Sequence, residues 1–273
     1  MILAITTGTT ILYSIIVFLL VIIALVSILL VAKAKLSPQG EVKLKINDKE
    51  LSVSPGSSLL STLTGSGIFL PSACGGGGTC GMCKCQVTDG GGSILPTETG
   101  FFTRKEQQDQ WRLGCQVKIR ENITVKVPES VMGIKKWECE VVSNRNVATF
   151  IKEFVVRLPE GESLNFTPGG YIQIDVPKYE TSFRDFIIED QFKGDWDHYK
   201  MWDLKIKNNE ETYRAYSMAN YPEEKGLIKL NIRIATPPWD NVKKQFMSVP
   251  PGLCSTYIFS RKPGDKVMIS GPY

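Results

Sequence analysis

The chain has 273 residues, 42% of them hydrophobic and 22% charged, a globular composition long enough for two or three cores of ordinary domain size. Its net charge of +4 comes without a Lys/Arg block, which sets nucleic acid aside as a partner. His198 is the only histidine, so Rieske centres and the common zinc enzymes are excluded, and the chemistry must rest on the seven cysteines and on bound cofactors.

Residues 1–32 contain no charged side chain, and Ile11 to Ala32 reads ILYSIIVFLLVIIALVSILLVA. As a helix this stretch spans roughly 33 Å, the hydrocarbon depth of a bilayer. Ala32-Lys33-Ala34 imitates a signal cleavage site, but residues 1–10 lack the basic side chains a signal peptide needs, so a transmembrane anchor is predicted. Lys33 and Lys35 follow the span and no basic residue precedes it, which places the remainder in the cytoplasm. In that reducing compartment seven thiols point to metal rather than to disulfides. The domain plan is therefore an extracytoplasmic segment at 1–10, a transmembrane helix at 11–32, a linker at 33–40, a cysteine module at 41–130 and a second module at 131–273.

Within the cysteine module, EVKLKIND and KELSVSP alternate polar and apolar residues around Asn47-Asp48, which predicts a hairpin over residues 41–55. SSLLSTLTGSG predicts a short helix closed by Gly65 or Gly67, and CKCQVTDG a strand. Thr103 and Glu106 form a capping box, and RLGCQVKI and NITVKVP are predicted as closing strands. Cysteines fall as Cys74-x5-Cys80-x2-Cys83 with Cys115 far downstream, close to the plant-type ferredoxin spacing. Gly75, Gly76, Gly77, Gly78 and Gly81 leave the loop free to turn backbone N–H groups toward the negative charge of a 2Fe-2S cluster. A four-thiolate zinc site is the competitor, but no second cysteine lies beside Cys115 to form a knuckle. Cys85 and Cys139 are expected in cores. Gly76-x-Gly78-x-x-Gly81 imitates a dinucleotide fingerprint without the strand and helix that would give it meaning.

In the second module, WECEVVSNR, FIKEFVVRL, GGYIQIDV, LIKLNIRI and KVMIS are five short β-rich runs separated by turns, which predicts an antiparallel barrel. RAYSMAN offers Arg214 for a phosphate, Tyr216 for stacking and Ser217 for a hydrogen bond. About 40 residues on, Gly252 opens a predicted helix whose first turn, with Cys254 and Ser255, can aim backbone N–H groups at a pyrophosphate. Together the two stretches point to FAD.

The cysteine spacing, PGGYIQI, RAYSMAN and GLCSTYIF, behind one apolar helix, resemble the F subunits of bacterial Na+-translocating NADH:quinone oxidoreductases. The resemblance implies a single transmembrane helix, a β-grasp 2Fe-2S ferredoxin domain and a barrel FAD-binding domain of ferredoxin reductase type, all on the cytoplasmic side of the bacterial inner membrane. It further implies NADH as electron donor, FAD and one 2Fe-2S cluster as carriers, and delivery through other membrane subunits to ubiquinone, with Na+ export coupled elsewhere. In that family GPY opens an NADH-binding domain, so the chain, which ends on Gly271-Pro272-Tyr273, is expected to be a fragment lacking it. A membrane-tethered reductase feeding an oxygenase or desaturase is the alternative enzyme reading, and an anchored zinc module the non-enzymatic one. Residues 177–212 also match the family as an insertion, whose Tyr179, Phe183, Phe186, Phe192, Trp196, Tyr199 and Trp202 are expected either to form a docking surface or to pack against the barrel.

Overall fold

The computed structural model describes residues 2–36 and 40–273, with side chains throughout except those of residues 2–10, 33–36 and 130. The apolar run is one helix, α1 (Ile2–Leu36), and its stretch Ile11–Ala32 is long and apolar enough to cross a membrane while none of it is buried in the protein. The candidate span has the expected bounds, and the helix itself continues beyond it at both ends, from Ile2 through Leu36, with no proline before Pro38 to break it. Of the expected linker, residues 37–39 lie outside the described residues.

The cysteine module builds a mixed five-stranded sheet. Strands β1 (Val42–Ile46) and β2 (Lys49–Val53) form the predicted hairpin, turned at Asn47, whose φ of 49° suits a short polar side chain. Next come α2 (Leu59–Gly65), capped by the Ser58 hydroxyl on the Ser61 N–H, and β3 (Lys84–Asp89). Two short helices follow, α3 (Pro96–Thr99) and α4 (Arg104–Gln108), the latter closed by the predicted Thr103/Glu106 capping box. Then come β4 (Trp111–Leu113), β5 (Ile123–Lys126) and the single turn α5 (Glu129–Met132). The order is β2-β1-β5-β3-β4, with β5 parallel to β1 and the other neighbours antiparallel. Leu44, Ile46, Leu59, Leu63, Leu113, Ile119 and Val125, all fully buried, form its core. One predicted strand is corrected: RLGCQVKI is extended only through Leu113, and Gly114 to Cys115 turn away from β4, which frees Cys115 from the sheet face.

The second module is a curled six-stranded antiparallel sheet. Its strands are β6 (Lys135–Ala148), β7 (Ile151–Arg157), β8 (Tyr171–Val176), β11 (Thr212–Ser217), β12 (Leu227–Arg233) and β15 (Lys266–Gly271), ordered β11-β8-β15-β6-β7-β12. Between β8 and β11 lie β9 (Tyr179–Ser182), α6 (Asp190–His198) and β10 (Lys205–Asn208), and between β12 and β15 lie β13 (Trp239–Asp240), β14 (Gln245–Phe246) and α7 (Leu253–Phe259). The two edges meet just past β11, where the Ala219 N–H reaches the Lys229 carbonyl at 2.8 Å and Asn220 Oδ1 accepts from the Lys229 N–H at 3.0 Å. An apolar interior of Phe154, Val156, Ile172, Ile174, Ile228, Leu230 and Ile269, each fully buried, fills the barrel.

For the insertion, the structure decides between its two readings. Phe183 and Trp196 are fully buried, Phe186 is buried, and Tyr179, Phe192, Tyr199 and Trp202 pack half-buried against the same core, so all seven rings pack against the barrel. The Trp196 indole N–H donates to the Thr149 carbonyl at 2.8 Å, satisfying its one polar atom, and the Phe183, Phe186 and Phe259 rings surround it.

Lys152 ties this cover to the barrel. Its ammonium is buried and donates to the carbonyls of Ile187, at 2.7 Å, and Asn144, at 3.1 Å. Burial pushes its pKa down to about 8, against a smaller upward pull from Glu189. Since the unfolded chain still holds this proton up to about pH 10.5, the folded state gains stability relative to the unfolded as pH rises through the window from about 8 to 10.5 and loses it on the way down. In Lys152→Met this pH dependence should vanish, so the difference in melting temperature between the variant and the parent chain should change across that window and stay flat between pH 6 and 7; calorimetry at four pH values checks it.

Candidate functional site

The loop between α2 and β3 holds three of the predicted ligands, and the turn after β4 brings the fourth. The thiols stand in two pairs. Cys80 Sγ lies 3.3 Å from Cys74 Sγ, and Cys83 and Cys115 share a second hydrogen bond between their side chains. Among the described residues no group of three or more His, Cys, Asp and Glu stands close enough to hold a single metal ion. Two pairs of thiols are the donor set of a two-iron cluster, in which each iron takes two thiolates, so the residues fit that group.

The loop backbone is shaped for negative charge. Gly75, Gly76, Gly78 and Gly81 adopt φ between 65° and 91°, a region open to glycine, whereas Gly77 does not need it. Burial pushes the Cys74 thiol up, but N–H donation from Thr79 and Cys80 and the Cys80 thiol outweigh it and bring Cys74 down to about 6. The Cys83 thiol beside Cys115, together with Gln116 and the Gly78 N–H, holds Cys115 at about 7 despite burial, and Cys83 as its partner is raised. The ligating form of cysteine is the thiolate, and the surroundings of Cys74 and Cys115 favour it. Cys85 is different: it is fully buried behind the loop, 3.9 Å from the Arg112 carbonyl, and burial pushes it up to about 12. Cys139 is likewise buried and pushed up to about 12.

On the barrel, β11 carries the second predicted site. Arg214 and Tyr216 share one face of the strand, and Ser217 points to the other, opposite Tyr171 in the register with β8. Arg214 is half-buried with no carboxylate partner among the described residues; its guanidinium donates to the Tyr213 carbonyl at 2.7 Å and to Thr212 Oγ1 at 3.1 Å. Its charge reaches the first turn of α7, where it opposes the burial that pushes the Cys254 thiol up to about 11. Gly252 caps α7, and a Cβ there would stand 2.6 Å from the Ala235 methyl. Ser255 Oγ is already engaged, accepting from the Ala235 N–H and donating to the Gly252 carbonyl, so what Cys254 and Ser255 offer is backbone N–H. A guanidinium without an anion, an aromatic ring on the same strand face and a helix first turn fit the diphosphate and ring of a dinucleotide.

The two sites touch, which the sequence did not disclose. A Cβ added to Gly75 would stand 2.2 Å from Arg214 Nη1 and 2.6 Å from the Tyr213 carbonyl, so a side chain there would push the thiol loop off β11. Tyr213 faces the cysteines and meets Ser72, while the Tyr171 hydroxyl lies 4.0 Å from Met82 Sδ and its ring stacks on Tyr273. Beside this junction opens a cleft of about 710 Å³, bordered by Ser61, Gly76, Thr212 and Tyr257. The clue was strand alternation: if Arg214 and Tyr216 face one way, Tyr213 must face the other.

Residues 43–120 match the family described as a 2Fe-2S iron-sulfur cluster binding domain, and residues 197–273 match the oxidoreductase FAD-binding domain. The F subunit of the Na+-translocating NADH-quinone reductase of Marinomonas sp. (strain MWYL1) is 50% identical over 264 residues, 96% of this chain and 64% of that protein. The chain is a homologue of these F subunits. The corresponding protein of Idiomarina loihiensis is 52% identical over 259 residues, 94% of this chain and 62% of its own length, so the chain spans less than two thirds of the relatives it matches. Among solved structures, the Amycolatopsis cytochrome P450 reductase GcoB aligns with a TM-score of 0.48 at 20% identity, over 85% of this chain and 57% of that one. The chain joins a ferredoxin-type domain to an FAD-binding domain of ferredoxin reductase type behind an apolar N-terminal helix long enough to cross a membrane.

Proposed function

We propose that the chain is the electron-input part of a Na+-pumping NADH:ubiquinone oxidoreductase, anchored by α1 in the bacterial inner membrane with both modules in the cytoplasm. Its working units are the thiol module at 41–130 and the barrel at 131–273. The observation that carries this reading is the contact of the paired thiol loop with the strand that bears Arg214 and Tyr216, since two redox sites in contact form a relay.

In this reading Cys74 and Cys80 hold one iron and Cys83 and Cys115 the other. The unpaired Arg214 and the backbone N–H groups of Cys254 and Ser255 hold the FAD diphosphate, Tyr216 stacks on its ring and Gly252 completes the cradle, while the side chain of Ser217, on the opposite face of β11, is not part of it. FAD takes two electrons from NADH and releases them singly, while a 2Fe-2S centre accepts one at a time. The protein needs no side-chain acid or base for this, which agrees with a chain that has one histidine, exposed on α6. What its residues supply is orientation: Gly75 lets the loop close on β11, and Tyr213 fills the contact. Other membrane subunits of the complex take the electrons onward to ubiquinone.

The test is the visible and EPR spectrum of the purified full chain, reduced with dithionite so that no nicotinamide is required. Flavin and 2Fe-2S bands together support the reading, and their joint absence overturns it. Arg214→Ala should lower FAD affinity at least tenfold, a loss of about 1.5–3 kcal/mol for a charge-assisted contact, and with it FAD occupancy, while iron content stays unchanged. Flavin and iron are read on the same sample.

A further inference from the structure

We infer that Gln116 sets the reduction potential of the iron-sulfur site by donating its side-chain amide to the sulfur of Cys115. The inference rests on the cluster reading above and assigns a role to a residue next to the ligand set. Gln116 Nε2 lies 3.7 Å from Cys115 Sγ. Its other end is fixed, because the Thr97 hydroxyl donates to Gln116 Oε1 at 3.3 Å. That bond occupies the carbonyl end and leaves the NH2 end for the sulfur. The side chain is half-buried and lies against Gly78, where a Cβ would stand 2.5 Å from Nε2; the φ of 73° at that glycine also excludes most side chains. The amide is thus held in a slot made by the loop itself, with a donor aimed at a thiolate and an orienting partner behind it.

The direction of the effect follows from charge. One-electron reduction adds a negative charge to the cluster and its thiolates, and an N–H donor stabilises that state more than the oxidised one. Removing the donor therefore makes the cluster harder to reduce. Gln116→Met keeps the length and shape of the side chain without a donor, and it should lower the midpoint potential by about 59 mV, equivalent to a tenfold weaker hold on the electron. Gln116→Glu replaces the donor with a negative charge and should lower it further. Thr97→Val removes only the orienting bond and should give a smaller shift in the same direction.

The experiment is an EPR-monitored redox titration of the full chain in detergent, with iron content measured on each sample. A negative shift in Gln116→Met at parental iron content supports the inference; an unchanged midpoint overturns it. Should that variant fail to assemble, parental protein grown with side-chain 15N-glutamine gives the second reading. A 15N coupling to the reduced cluster in pulsed EPR, lost in Thr97→Val, supports the contact, and absence of any coupling in the parent overturns it. A parental chain without a 2Fe-2S signal would instead overturn the cluster reading itself, and this inference with it.

Discussion

Cys80→Ala is expected to abolish the iron-sulfur site while leaving flavin binding at the parental level. Cys80 pairs with Cys74 at 3.3 Å, so its loss removes half of the thiolate set of one iron. No substitute stands nearby. Thr79 already donates to Cys74, and Cys85, the nearest spare thiol in sequence, is fully buried and pushed up to about 12. Iron content and the EPR signal of the reduced protein should fall to background, and electron transfer out of the flavin should fall with them. Arg214, Tyr216 and α7 are untouched by the change, so the flavin absorbance should persist. If one substitution removed both cofactors, the reading of two separable sites would be wrong.

Glu98→Ala should unfold much of the thiol module, at a cost of about 3–5 kcal/mol, the usual consequence of leaving a buried charge without its partner. Glu98 has no exposed side-chain surface. It accepts from Arg112 Nη2 at 2.7 Å and Nε at 3.0 Å, from the Leu113 N–H at 2.8 Å and from the Leu95 N–H at 3.0 Å. Arg112 goes on to the carbonyls of Gly91, at 2.7 Å, and Gly92, at 2.9 Å. One carboxylate therefore fixes the glycine loop after β3, helix α3 and the end of β4, two residues before Cys115. The midpoint of urea unfolding should fall markedly, and Cys115 should become open to alkylation in the apo-protein. Glu98→Gln keeps the shape and part of the hydrogen bonding, so it should lose less than Glu98→Ala; equal losses would show that the ion pair, not packing, holds this corner.

Neither Glu98 nor Gln116 drew notice in the sequence. Glu98 sits in PTETG, which reads as a turn, and nothing local says that Arg112 will come back to it from 14 positions away. The thiol set, by contrast, was legible, because ligand spacing is short-range: three of four cysteines fall within ten residues and share one loop. Secondary structure was legible where periodicity was long, as in α1 and the barrel strands, and least so at RLGCQVKI, where an apolar alternation continues past Leu113 but the chain turns to deliver Cys115. The insertion aromatics show the same limit. Composition cannot distinguish a ring that meets a partner from one that meets the chain's own barrel, and Trp196, with no exposed surface, belongs to the second kind.

Sequence alone marked out the apolar helix, a cysteine-rich module and a β-rich one, the four cysteines expected as ligands and the Arg-aromatic strand, all features carried by residue type at short spacing. Tertiary structure decided which cysteines pair with which, that Arg214 lies on Gly75 as well as beside α7, and that Tyr213 turns from the same strand toward the cysteines. The contact of Gly75 with Tyr213 and Arg214 depends on the packing of segments more than 100 residues apart, where loop closure and side-chain volume act together and no local pattern records the outcome.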